Sequence, residues 1–310
     1  MQLMRLFVLA FFTLLVPFGE GRAGKTMRLP SGAVVSGQFG SFYHLSRDIL
    51  TDLDASVKEI PALKDLHHVT ITEVAATDEH LRALATLPKI RTLRIIETKI
   101  TDKGLKSIAD LKNLEDLTLD KNNISDDGAT ELAKLKGLTA LSIEDTQITA
   151  AGIKALSELT ELRSLSIGPN LTLDGFKEIG NIKKLRGISL ARANVSGEGL
   201  KYFASLKDLN AINLTKCKLK DDDLKGVWAF PNLTSIILDE TQISDKGLIH
   251  LLGAKKLVVI RLKGCNVTEK GVSQLLDLPD LGQLILTRTG ITREQAANIK
   301  KMRPDLTVIP

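Results

Sequence analysis

From residue 63 to residue 301 the sequence repeats with a period of 24, and that period decides the fold class before any single residue is considered. Aligned on the first apolar residue of each copy, the ten units start at Leu63, Leu87, Leu111, Leu135, Leu159, Ile182, Leu206, Phe230, Ala254 and Leu278. Only the fifth departs from 24, losing one residue around Gly168-Pro169. A unit this short cannot bury its own apolar face, so the copies must stack and bury it against one another. The alternation Leu93-x-Ile95 predicts a short strand with one buried side. Thr101, matched by Ser125, Thr149, Ser196, Ser244, Thr268 and Thr292, predicts a helix N-cap, followed in several units by Asp to suit the positive helix end. Leu105, Ile108 and Leu111 then form the apolar stripe of a short helix. One strand and one short helix per unit predict an α/β fold, a right-handed β-α solenoid with a parallel sheet.

These units resemble leucine-rich repeats, matching LxxLxLxx[N/C/T]xI in ten consecutive copies over residues 63–301. Gly128-Ala129-Thr130-Glu131-Leu132-Ala133 resembles the GALA subclass, and TxITDxGLxxL repeats behind an N-terminal leader are similar to secreted leucine-rich-repeat proteins of planctomycete bacteria. The resemblance implies a horseshoe with the parallel sheet on the concave face and short helices on the convex face. It also implies a non-catalytic role in binding another macromolecule, a protein partner first of all. Some GALA proteins act as substrate-recognition adaptors through an F-box; this sequence has no F-box, and the adaptor stands as the alternative function.

Residues 1–23 carry one basic residue, Arg5, before an apolar run from Leu6 to Phe18, and end in small residues at Gly21 and Ala23. This predicts a signal peptide cleaved after Ala23, a secreted or periplasmic protein, and no membrane span after cleavage. Residues 24–62 are expected to be a linker and an N-terminal capping helix, the helix over 45–59 following from Leu45, Ile49, Leu53 and Val57. Residues 302–310 are expected to cap the other end, with Leu306, Val308 and Ile309 as a last strand. Residues 19–26, GEGRAGKT, fit the phosphate-loop pattern of an NTPase, but Pro30 and Gly32 stop the helix that such a loop requires.

One position just after each strand recurs as Thr98, Asn122, Thr146, Asn170, Cys217, Thr241, Cys265 and Thr289, a ladder expected to satisfy loop backbone groups. Cys217 and Cys265 are two periods apart, which places them roughly 10 Å from each other and rules out a disulfide. The histidines His44, His67, His68, His80 and His250 share no recurring position, and no HExxH, CxxC or GxSxG occurs. No cofactor and no metal are expected. Asp221, Asp222 and Asp223 are expected in the first turn of the seventh helix, with Asp223 in place of the usual Gly.

A net charge of +5 invites a polyanion, but the side chains flanking the strand leucines answer that question. Those columns hold 8 acids and 7 bases and no aromatic ring, whereas nucleic-acid binders need a continuous basic track, usually with stacking rings. Nucleic acid is therefore excluded. The order of the charges is more informative: repeats one to five carry 6 acids and 2 bases there, repeats six to ten 2 acids and 5 bases. The candidate partner-binding residues are Arg94, Asp120, Glu144, Asp145, Arg192, Lys216, Asp239, Arg261, Lys263 and Arg288. The scarcity of aromatics, 12 in the chain with four among the first 18 residues, suits a core of identical aliphatic layers. The oligomeric state is left open by the sequence.

Overall fold

A computed structural model describes residues 27–28, 34–36, 42–46 and 58–310. The chain falls into two compact units, one ending at Ser166 and the other running from Ile167 to Pro310. The expected leader and the GEGRAGKT match lie outside the described residues.

In the first unit β1 (Met27–Arg28), β2 (Val34–Ser36) and β3 (Phe42–Ser46) pair antiparallel in succession. From β3 onward the pairing is parallel, through β4 (His68–Thr72), β5 (Thr92–Ile96), β6 (Asp116–Thr118) and β7 (Ala140–Ile143). A further strand, β8 (Ser164–Ile167), lies at the division. The start of the expected capping helix over 45–59 is corrected by β3, because Leu45 and Ser46 are strand residues paired with Ile71 and Thr72. Strand pairing satisfies the backbone groups of the first repeat's edge directly, which a helix could only cover. Residues 47–57 lie outside the described residues.

The second unit carries β9 (Gly187–Ser189), β10 (Ala211–Asn213), β11 (Ser235–Ile237), β12 (Val259–Arg261), β13 (Gln283–Ile285) and β14 (Thr307–Ile309), each parallel to the next. The register is the sequence period itself, Ile212 opposite Ile236, Ile236 opposite Ile260 and Ile260 opposite Leu284. All four side chains are fully buried, each worth about 1.5–3 kcal/mol of burial. Short helices connect the strands, seven residues long in the first five repeats. The seventh is a 3₁₀ helix, Asp221–Ala229, rather than an α-helix. The core is not purely aliphatic either. Phe176, Phe203 and Phe230 are buried, and the first two meet edge to face with centroids 6.1 Å apart. Gly199 makes room for them, since a Cβ there would lie 2.9 Å from the Phe176 ring.

The helix N-termini are locked between repeats by a carboxylate. Thr101 donates its N–H and hydroxyl to Asp78 of the preceding repeat, both at 2.8 Å. Ser125 makes the same pair to Asp102, Thr149 to Asp126, Ser244 to Asp221 and Thr268 to Asp245, at 2.6–2.9 Å. The invariably following Gly of these units follows from that contact: a Cβ at Gly104 or Gly247 would come within 2.5 Å of the carboxylate oxygen. The seventh repeat inverts the arrangement. There Asp223 stands in the Gly position and reaches back to accept the N–H of Gly197, 2.7 Å, while also accepting the Lys220 N–H at 2.8 Å. Gly197 in turn occupies the carboxylate position of the sixth repeat, so the Asp and the Gly have exchanged repeats. At the two ends of the array the caps are internal. The Thr77 N–H goes to His80 Nδ1 at 3.2 Å, and Thr292 exchanges hydrogen bonds with Gln295.

The ladder residues bond loop carbonyls. Asn122 is buried; its amide donates to the carbonyls of Ile95, Leu119 and Asp120, and its oxygen accepts the N–H and hydroxyl of Thr98. Thr146, Thr241 and Thr289 donate to the carbonyl three residues earlier at 2.6–2.8 Å. Cys217 Sγ reaches Leu190 O at 3.1 Å, a carbonyl that also accepts the Ala193 N–H at 2.9 Å, and Cys265 Sγ reaches Leu238 O at 3.0 Å. Asn170 differs: it is exposed, next to Pro169 where the unit is one residue short. Both cysteines are free thiols, and burial pushes the Cys217 thiol up to about 12. An acid whose ionisation is disfavoured in the fold is a poor nucleophile until the fold opens. Maleimide labelling of Cys217 at pH 8 should therefore proceed only as fast as the second unit opens, at least ~100-fold below an unfolded control; stoichiometric labelling within seconds in native buffer would contradict this burial.

Candidate strand-face interface

Residues at alternate strand positions face away from the core, and a residue one to three positions beyond each strand completes that face. This following residue has a positive φ in nine repeats: Glu73, Glu97, Lys121, Asp145, Arg192, Lys216, Glu240, Gly264 and Arg288, at 54–69°. The tenth repeat position is Pro169, whose ring forbids that conformation. The turn is required because it points the residue's N–H at the next repeat, as in Glu97 N–H to Asp120 O at 3.0 Å and Lys216 N–H to Asp239 O at 2.8 Å. A non-glycine residue there costs about 1 kcal/mol relative to glycine.

In the first unit this face holds Glu73, Glu97, Asp116, Asp120, Glu144 and Asp145 against Arg94 and Lys121, a net charge of −4. Lys121 bonds Glu97 at 2.7 Å, which holds its ammonium above the ordinary lysine range. Asp120 Oδ1 accepts the Ser142 hydroxyl and the Glu144 N–H at 2.7 and 2.8 Å, so its carboxylate shapes the loop of the next repeat. Arg94 lies 3.8 Å from Asp116. Burial raises the Asp116 carboxyl, opposed by Arg94 and His68, and burial likewise lowers His68. Glu144 and Asp145 are half-buried.

In the second unit the face holds Arg192, Lys216, Arg261, Lys263 and Arg288 against Asp239 and Glu240, a net charge of +3. Arg192, Lys216 and Arg288 are exposed, and Lys216 lies 3.5 Å from Glu240. Asp239 is placed differently from an accessible contact residue. Its side chain is 5% exposed and accepts Arg261 Nε and Nη2 at 3.1 and 2.6 Å and the Lys263 N–H at 3.0 Å. It organises the two bases around it, which remain half-buried. The ten residues chosen from sequence thus divide into charges facing outward and charges, Asp120 and Asp239 above all, that fold their neighbours.

A family model described as a leucine-rich repeat region matches residues 51–303. The chain belongs to the leucine-rich-repeat family. An internalin of Listeria monocytogenes strain 4b F2365 is similar in structure, with a TM-score of 0.51 and 18% identity over 87% of this chain and 86% of that one, a likeness of fold. A structure described as a TDR receptor gives a TM-score of 0.47 at 16% identity, covering 81% of this chain and 43% of that one. A comparison with curated proteins returned no match.

Beside the strand face, this leucine-rich-repeat chain has an open depression of about 880 Å³ at the helix N-termini of the first unit, lined by Asp78, Asp102, Lys103, Lys106 and Glu131 among others. Asp78 and Asp102 there already accept the inter-repeat hydrogen bonds. Among the described residues no group of three or more His, Cys, Asp or Glu is placed to hold a metal ion, and no helix is long and apolar enough to cross a membrane. Sequence reasoning missed the conformation of the residue after each strand. Its signal was available in Gly264, a glycine in a column that is otherwise charged apart from Pro169.

Proposed function

We propose that this chain is an exported, non-catalytic module that binds another protein through the outward face of its strands. One observation carries the reading. Seven of the eight non-glycine residues held at positive φ are Glu, Lys or Arg, residue types that this backbone conformation disfavours against Gly or Asn. Gly264 fills the same position without them, so the fold does not need the side chain. A position that keeps a charged side chain against backbone preference, in repeat after repeat, is explained by what the side chain meets outside. Mixed charge without aromatic rings suits a protein surface rather than nucleic acid. Export rests on the leader-like residues 1–23.

The experiment is a paired affinity capture with the wild-type chain and the Glu144→Lys/Asp145→Lys variant as baits. The variant should recover a specific partner about tenfold less well, while its melting temperature stays within about 2 °C of wild type. Equal recovery by two equally stable baits removes the strand face from the reading.

A further inference from the structure

The two strand faces have opposite charge and nearly equal magnitude, −4 in the first unit and +3 in the second. The ion pairs inside each face, Glu97 with Lys121 and Arg94 with Asp116 in the first, Lys216 with Glu240 and Arg261 with Asp239 in the second, each use one charge of each sign and leave these sums unchanged. Both faces also present charge on the same lattice. The protruding residue after each strand recurs once per repeat, at the strand spacing of about 4.8 Å, in one unit as in the other. An acidic surface and a basic surface built on one pitch fit each other, whereas acid against acid or base against base is repelled.

We infer that the chain associates with a second copy of itself, the acidic strand face of residues 58–166 in one copy docking on the basic strand face of residues 167–310 in the other, and reciprocally. The inference rests on the protein-binding reading above and names the partner. Made reciprocally, the contact uses both faces of each copy and closes at two chains. With no aromatic anchor on either face, recognition is electrostatic, reversible and screened by salt.

Sedimentation equilibrium of the purified chain at 50 and 500 mM NaCl tests this. The expected result is a dimer at low salt whose association constant falls by at least about tenfold at high salt. Two variants then separate this surface from any other: Glu144→Lys/Asp145→Lys takes the first face from −4 to 0, and Lys263→Glu/Arg288→Glu takes the second from +3 to −1, so each removes the attraction between copies of its own kind while leaving one strongly charged face. Each alone should be monomeric, and an equimolar mixture of the two should form a one-to-one heterodimer. A wild-type chain that stays monomeric at 50 mM salt up to ~100 µM overturns the inference. So does a dimer that both variants retain, or a mixture of the variants that does not associate. The affinity capture is scored on a foreign protein, so a monomeric chain that still captures one in an Asp145-dependent way sinks only this inference.

Discussion

Gly247→Ala is expected to destabilise the second unit by about 2–4 kcal/mol, although alanine is the better helix residue by about 1 kcal/mol. Gly247 lies in the helix Asp245–Leu248 and is buried. A Cβ there would sit 2.5 Å from Asp221 Oδ1, the oxygen that accepts the Ser244 N–H at 2.7 Å, while the other oxygen accepts the Ser244 hydroxyl at 2.6 Å. The added methyl forces the carboxylate off both donors, so the substitution breaks a contact between repeats rather than one within its own helix. Hydrogen bonds to a charged group contribute about 1.5–3 kcal/mol, and that loss outweighs the gain in propensity. Gly226→Ala is the control. Nothing lies within 4 Å of a Cβ at that position, and its effect should be within about 1 kcal/mol of zero. The mechanism makes a further demand. With Asp221→Ala already made, the remaining close atoms to the new methyl are Ile243 Cγ2 at 3.0 Å and the residue 221 Cα at 3.2 Å, which need give by only a few tenths of an ångström. The second substitution should then cost much less than the first, giving a coupling of at least about 1 kcal/mol in a double-mutant cycle. Urea midpoints followed by circular dichroism measure all four proteins; strictly additive effects would refute the carboxylate lock.

The limits of the sequence reading follow from where each partner sits. The strand leucines and the N-cap Thr and Ser act within their own 24 residues, and the period exposes them. The Gly of Thr-Asp-x-Gly looks like helix chemistry from sequence, yet its partner is the Asp 26 residues earlier, so its cause appears only when two repeats are stacked. The exchange of Asp223 with Gly197 is the same contact read backwards, and from sequence it is merely a departure from the template. Asp239 and Arg261 are 22 residues apart in adjacent repeats. A column count places both on the outer face, and only the stacked geometry turns Asp239 into a buried organiser. Strands β1 to β3 lie before the template begins, two to five residues each, and the four-residue spacing of Leu45, Ile49, Leu53 and Val57 does not exclude a strand at its start.

Asn122→Ala is expected to cost the first unit about 3–5 kcal/mol, the largest effect of any single ladder substitution. Thr146 and Thr241 donate to the carbonyl three residues earlier, whereas Asn122 donates to three carbonyls and accepts two hydrogens from Thr98, at distances of 2.6–3.1 Å. Alanine in that slot leaves the buried carbonyls of Ile95 and Leu119 without the amide and removes the acceptor from the Thr98 N–H. A buried polar group left without its partner costs about 1–3 kcal/mol, and two or three such groups reach the range stated. Solvent cannot compensate, because Asn122 is only 4% exposed. Asn122→Thr distinguishes this account from simple loss of packing. Threonine fills the slot in both neighbouring repeats, and Thr146 bonds the carbonyl three residues earlier, so threonine here should recover Leu119 O but neither Ile95 O nor both Thr98 donors. It should fall between wild type and alanine, about 1–2 kcal/mol below the former. Chemical denaturation of the three proteins reads the order. A threonine variant as stable as wild type would show that the extra bonds of Asn122 contribute nothing, and one as weak as alanine would show that the Leu119 carbonyl does not govern the slot.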